Sequence, residues 1–236
     1  MHVHVAFTPD EEGSAHVGIV VDVIRATSSI AQALASGYER VLCCAEIDEA
    51  RALRAELGDE AVVGGERNAI VVDGFDVGAS PREFAGEPKA KTLILTTTNG
   101  TRAILTAAAR CDVVLLGSLL NLSALARAAH EAGNDVAILC SGFQGTFALD
   151  DAYCAGRIVA ALGGTRTDAA VAAEVIARAW PHPLDGLNAR TYGPPGLEWD
   201  IEFCAQVDLL ETVPRFARMV GPAAEIVATT DARTEE

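Results

Sequence analysis

The sequence predicts an α/β protein: a mostly parallel or mixed sheet covered on both sides by helices, followed by a helical C-terminal part. Three observations carry this. Short β-branched apolar runs, such as Ile19 to Ile24 and Thr92 to Thr96, recur through the first 140 positions. Between them lie longer segments with apolar residues at helical spacing, in a regular strand–helix alternation. From Thr167 onward the helical period dominates.

His2 to Phe7 alternates and reads as a first strand, with Pro9 to Ser14 as a turn. Ile19 to Ile24 reads as a strand buried on both faces, interrupted by Asp22. Arg25 follows, and then Thr27, Ser28 and Ser29, whose hydroxyls suit the N-cap of a helix over about 27 to 36, ended by Gly37. Glu39 to Cys44 is a third strand, Ile47 to Leu57 an amphipathic helix closed by Gly58, and Ala61 to Val63 a short strand. Residues 68–90 are rich in Gly, Pro and Asp and too long for a plain connector, which favours a functional loop. Strands at Thr92 to Thr96, Val113 to Leu116 and Val136 to Cys140 alternate with helices at Asn99 to Ala109, Leu122 to Ala132 and Ala148 to Leu162. Helices at Ala169 to Trp180 and Leu197 to Leu210 flank a segment broken by prolines, and Ala224 to Ala228 is a terminal strand returning to the sheet. With no repeat or linker, residues 1–230 read as one domain and 231–236 as a frayed tail.

Half of the 236 residues are hydrophobic, enough for a large core. No apolar run is long enough to span a bilayer, and Met-His-Val-His-Val lacks the basic start of a secretory signal. The six cysteines show no CxxC spacing and read as thiols of a reducing compartment, so a cytoplasmic location is expected. The net charge of −15 argues against nucleic acid and anionic membranes as partners. An anionic small molecule would have to be drawn in by local arginines, helix N-termini or a divalent cation. Oligomeric state is not encoded in any visible pattern, and a homodimer is compatible with the sequence.

Polar residues gather in five stretches at strand ends, where open α/β sheets bind ligands. The first is Asp22 with Arg25: a carboxylate inside an apolar strand needs a partner or a metal, and a structural ion pair would also satisfy it. Next come Gly64-Gly65-Glu66-Arg67 and the Gly74 to Pro81 loop with Asp76 and Ser80, where glycines permit close backbone approach and charges of both signs mix. Third, Thr96-Thr97-Thr98-Asn99-Gly100-Thr101-Arg102 opens a helix with more hydroxyls than a cap requires. That points to phosphate binding, and the missing Gly-Lys-Ser/Thr excludes a Walker A loop. In the fourth, Cys140 to Asp151, the adjacent Asp150 and Asp151 complement a helix dipole and, with Asp22 nearby, could hold Mg²⁺. Cys140 lacks the Arg at position 146 that a Cys-x5-Arg phosphatase loop needs. Last, Asp200, Glu202 and Asp208 read as a solvated helix face.

Taken together, Val20 to Thr27, Gly65-Glu66-Arg67, Gly74 to Pro81, Thr96 to Thr101, Gly117 to Asn121, the Cys140 to Asp151 block and Asp200-Ile201 resemble the 2-phosphosulfolactate phosphatase family over most of the chain. Three departures stand out: Ala79, where the family usually has Asn; Ser141, where it has Ala; and Asp150, where it has Glu. The resemblance implies a three-layer α/β/α fold and a Mg²⁺-dependent phosphatase that cleaves 2-phospho-3-sulfolactate to 3-sulfolactate and phosphate on the route to coenzyme M. The expected site has Mg²⁺ on Asp22, Glu66 and Asp151 with Asp150 in support. Arg25, Arg67, Ser80 and the Thr96–Thr101 cradle hold the substrate, with Arg102 assisting. Direct attack by water and an aspartyl-phosphate on Asp22 use the same residues. Two alternatives stay open: a phosphatase for a different phosphorylated hydroxy acid, and a non-catalytic anion- or nucleotide-binding module.

Overall fold

The computed structural model describes residues 1–229, so the tail expected from Asp231 lies outside the described residues. The chain runs β1 (His2–Ala6), β2 (Val17–Val21), α1 (Ala26–Ala35), β3 (Arg40–Cys43), α2 (Ile47–Leu57), β4 (Ala61–Arg67) and β5 (Ile70–Val71). It continues through β6 (Thr92–Thr96), α3 (Gly100–Arg110), β7 (Val113–Gly117), α4 (Leu122–Ala132), β8 (Asp135–Cys140), α5 (Leu149–Leu162) and β9 (Thr165–Arg166). It ends with α6 (Asp168–Ala179), α7 (Pro183–Asn188), α8 (Glu198–Cys204), β10 (Pro214–Val220) and β11 (Ala223–Ala228).

All the strands join one mixed sheet in the order β5-β4-β6-β3-β11-β10-β7-β2-β8-β1-β9. Alternation within each strand feeds two helix layers. In β2, Val17, Ile19 and Val21 face α4, α5 and α6, whereas Val20 packs with Ile30 of α1 and Ile104 of α3. Leu42, Val63 and Ile94, from β3, β4 and β6, pack with Ala50 and Leu53 of α2. The result is the three-layer α/β/α arrangement. All six cysteines are free, and no helix among the described residues is long and apolar enough to cross a membrane.

The antiparallel hairpin β10–β11 stands between two parallel sets: β2, β7 and β8 on one side, β3, β6 and β4 on the other. Pairing across it makes the two sets run in opposite senses. Both sets nevertheless contribute to one cavity, Asp22 after β2 and Glu66 and Thr98 from the ends of β4 and β6.

Several boundaries differ from the sequence reading. The Gly64 to Arg67 stretch continues β4 instead of leaving it. The expected helix over Leu197 to Leu210 stops at Cys204, and Asp208 takes a left-handed φ of 55° while accepting the Ser123 amide at 2.6 Å. That carboxylate caps the start of α4 from a distance. β10 escapes sequence reasoning because it opens on a proline and is largely exposed, so it carries no apolar run.

Glu225 of β11 clamps this hairpin in place. It accepts from Arg40 of β3 at 3.0 Å and from Arg218 of β10 at 2.6 Å, and these guanidiniums hold its carboxyl below the usual glutamate range. The lowered folded value means its stabilisation is present above the unfolded value and is lost as pH falls through the folded one. Glu225→Gln should therefore lower unfolding free energy at pH 7 by about 1 to 3 kcal/mol. In urea titrations the gap between variant and wild type should close toward pH 3; a gap independent of pH would mean that packing, not charge, anchors the hairpin.

Candidate functional site

A cavity of about 290 Å³ opens where β2, β4 and β6 end and the 190–197 segment crosses over them. Asp22, Arg25, Glu66, Thr97, Thr98 and Asn99 line it, together with Arg190, Tyr192 and Leu197. Its volume sits at the lower end of small-molecule sites, too small for a dinucleotide.

Asp22 follows β2 directly and is 7% exposed. Its Oδ1 accepts the Ala26 amide at 3.2 Å, at the start of α1. Gly100 makes room for this, since a Cβ there would collide with Asp22 Oδ2 and the Ala26 Cβ. Contrary to the expected capping role, Thr27 and Ser28 donate their hydroxyls backward, to the carbonyls of Asp22 and Val23, and Ser29 donates across to the carbonyl of Ala79. They stitch the strand end to its surroundings. The N-cap position is Arg25, which makes no side-chain cap bond; its Nη1 instead reaches Asp200 at 2.7 Å, with both side chains nearly buried. Ser80 Oγ donates to the other oxygen of Asp200 at 2.5 Å. Asp200 is thus the residue that orients Arg25, and the expectation of a solvated face is corrected. No local signal marks Asp200 as inward-facing: its neighbour Trp199 is itself exposed, and of the flanking pair only Ile201 is buried.

Glu66, at the end of β4, faces the cavity. Its oxygens accept the Thr98 amide at 2.7 Å, the Thr98 hydroxyl at 3.2 Å and the Ala69 amide at 2.6 Å. The threonine cradle is largely occupied by its own bonds: Thr97 and Thr101 exchange amide and hydroxyl contacts, and Thr96 is buried. Among the described residues, the amides of Asn99 and Gly100 are left without a protein acceptor. The part of the cradle open to an anion is therefore the helix start at Asn99 and Gly100, of which Asn99 lines the cavity.

Asp150 and Asp151 are both 3% exposed. Asp151 accepts the Val23 amide at 3.0 Å, the Ser141 hydroxyl at 2.9 Å and the Gly142 amide at 3.1 Å. With both oxygens engaged, it braces the ends of β2 and β8, and it does not line the cavity as the expected metal ligand would. Asp150 accepts the Tyr192 hydroxyl, and the Tyr192 ring packs on Phe143 with centroids 4.4 Å apart. Tyr192 and Arg190 escape sequence reasoning because the surrounding Thr-Tyr-Gly-Pro-Pro-Gly reads only as a turn.

Two further expectations fail on geometry. Arg67 lies between β4, β6 and the 45–46 turn, donating to the carbonyls of Glu66 and Ala45 and to Thr96 Oγ1, so it clips strands and does not line the cavity. Arg102 is exposed and pairs with Glu46 at 2.8 Å, because its position on α3 faces solvent. Asp76 likewise serves the backbone, accepting the Val63 amide.

Burial, followed by repulsion from Glu66 and Asp150, raises Asp22 from 3.8 to about 6 despite the Ala26 amide. Burial and then the neighbouring Asp150 and Asp22 push Asp151 up strongly, and burial raises Asp150. Cys140, beneath the site, is also driven upward by burial and then Asp151, so its thiol stays protonated and is no nucleophile.

Crowded carboxylates of this kind fit a hard cation in donor chemistry. Among the described residues no three acidic, His or Cys side chains stand close enough together to hold a metal ion by themselves. Mg²⁺ does not require that, since it keeps several waters and uses one or two carboxylates plus substrate oxygens. Asp22 and Glu66 are the two that line the cavity, with Asp150 behind them.

Fold and cavity together define the class: an α/β protein with a small acid-and-arginine site at its strand ends. A family model described as 2-phosphosulpholactate phosphatase matches residues 4–218. A relative from Clostridium acetobutylicum, named probable 2-phosphosulfolactate phosphatase, is 36% identical over 88% of this chain and 92% of its own. Relatives of the same name from Gloeobacter violaceus and Thermus thermophilus are each 39% identical, over 91% and 88% of this chain and 95% and 90% of their own. The chain belongs to the 2-phosphosulfolactate phosphatase family.

The raised Asp22 has a thermodynamic consequence. Between about pH 4 and 6 the folded state holds a proton that the unfolded chain has released, so stability falls as pH rises through that window and stays lower above it. In EDTA at pH 7.5, Asp22→Asn should therefore stabilise the protein by up to about 3 kcal/mol, since each tenfold change in proton affinity is worth about 1.4 kcal/mol. By calorimetry the gain should vanish near pH 4. A loss of stability at pH 7.5 would show that the protein already neutralises the Asp22 charge.

Proposed function

We propose that this chain hydrolyses the phosphate monoester of 2-phospho-3-sulfolactate to 3-sulfolactate and phosphate, and that it requires Mg²⁺ to do so. The observation that carries the reading is one small cavity in which the buried Asp22, the half-buried Glu66, an oriented guanidinium and the helix start at Asn99 meet. The family and the names of its members supply the substrate. Asp22 and Glu66 would hold Mg²⁺, which would supply charge neutralisation on the phosphate oxygens.

The protein's own residues do the positioning. Arg25, fixed by Asp200, presents its remaining N–H groups to a phosphate oxygen in a fork geometry. The Asn99 and Gly100 amides, at the positive end of α3, suit a second oxygen. Both are in place before substrate arrives, so little reorganisation is left for the transition state, where most of the catalytic benefit lies. Tyr192 and Phe143 cover the acids and limit water.

Phosphate release from 2-phospho-3-sulfolactate should appear with Mg²⁺ and stop with EDTA. Asp22→Asn should lower turnover at least about 100-fold with the fold intact. Tight anion binding without release would favour a binding module instead, and equal rates on any phosphate monoester would favour a different substrate.

A further inference from the structure

We infer that Arg190 is the specificity residue that reads the sulfonate, one of the two anionic groups of the substrate that are not transferred, the other being the α-carboxylate. The inference rests on the phosphatase reading for the identity of the ligand, and on the following geometry for the role.

Among the described residues, two cationic side chains line the cavity, Arg25 and Arg190. Arg25 is neutralised by Asp200. Arg190 has no carboxylate within 4.0 Å and no hydrogen-bond acceptor among the described residues, although it is half-buried. It is the unpaired guanidinium of the site. A half-buried charge with no protein partner is stabilised when an anion joins it.

The segment is shaped to hold the guanidinium there. Arg190 lies near the Tyr192 ring, 5.9 Å from its centroid. Gly193, at a φ of 103°, leaves the space it occupies, since a Cβ at that position would collide with Arg190 Nη1. Phe143, Pro194 and Leu197 add apolar wall to the same cavity. The Tyr192 hydroxyl is already committed to Asp150, so no neighbouring donor of this segment competes for the ligand.

These surroundings favour sulfonate over carboxylate. A sulfonate stays ionised at any physiological pH and spreads its charge over three oxygens, so it is weakly hydrated. Guanidinium is also weakly hydrated, presents a donor fork, and suits an apolar-walled site better than an ammonium would. The phosphate end is served by separate groups, Arg25 and the Asn99 and Gly100 amides.

The test compares three esters that share phosphate and α-carboxylate: 2-phospho-3-sulfolactate, 2-phosphomalate with a carboxylate in place of the sulfonate, and 2-phospholactate with a methyl. In wild type, kcat/KM should fall in that order. In Arg190→Met the ratio of sulfonated to methyl ester should drop about 10- to 100-fold, with Arg190→Lys between. Loss by one common factor on all three esters would overturn the assignment. Calorimetric binding of 3-sulfolactate and lactate gives a readout that needs no turnover. Wild type should prefer 3-sulfolactate and Arg190→Met should not, with circular dichroism melts confirming that both are folded. If wild type releases no phosphate from any ester, the phosphatase reading falls, and the calorimetric preference alone decides for or against Arg190. An unchanged preference in Arg190→Met refutes it.

Discussion

The structure is organised around a group of carboxylates held where electrostatics opposes them. Asp22, Asp150 and Asp151 are buried at the carboxyl ends of β2 and β8, and Glu66 joins them from β4. Each is held by backbone amides or hydroxyls: Asp22 by Ala26, Glu66 by Thr98 and Ala69, Asp150 by Tyr192, Asp151 by Val23, Gly142 and Ser141. The resulting net still leaves Asp22, Asp150 and Asp151 raised, because burial and mutual repulsion outweigh those bonds. Such a site is poised to take up positive charge, and it destabilises the fold that carries it until it does.

Bringing those acids together depends on the least conspicuous part of the chain. β10 and β11 join two parallel sets running in opposite senses, and residues from the strand ends of both sets, Asp22 of one and Glu66 and Thr98 of the other, line one cavity. Glu225, bridging Arg40 and Arg218, locks this arrangement from the outer side of the hairpin. The hairpin therefore sets the relative sense of the two strand sets that supply the site, even though it contributes no residue to the cavity lining.

How much was legible follows from which signals are local. The strand–helix alternation, the limits of α2 and α4, and the strand-end acids Asp22, Glu66, Asp150 and Asp151 can be read because apolar period and polar interruption both lie within a few residues. Side-chain direction cannot. Arg67 and Arg102 flank the right motifs, but one turns to strand carbonyls and the other to Glu46 on the surface. Asp200 looks like one of several acids on a wet helix; its partner Arg25 lies 175 positions away, and no local pattern reports that pairing. Arg190 and Tyr192 sit in a proline–glycine turn whose composition speaks only of backbone shape. Asp151 is legible as an acid of the site but not as an engaged one, since the amides that occupy it come from the end of β2 and the turn after β8.

The two cavity arginines show how a chain of net charge −15 can attract an anion. Long-range potential opposes entry, so attraction must come from charges that act within a Debye length, roughly 8 Å at physiological ionic strength. Arg25 is compensated by Asp200 and contributes mainly geometry: a fixed fork of donors with little net field. Arg190 has no ion-pair partner within 4.0 Å among the described residues and contributes the field. If the pairing were reversed, with Arg25 free and Arg190 bound to an acid, the free charge would sit on the α1 start, next to Asp22 and the other acids of the site. It would then collapse onto them as an internal ion pair. On the 190–197 segment, beside Gly193 and the Tyr192 ring, the Arg190 guanidinium makes no ion pair, although its charge is felt by Asp150 and partly offsets the burial that raises that acid. One cavity of about 290 Å³ therefore holds a guanidinium without an ion-pair partner beside carboxylates that burial and repulsion keep raised.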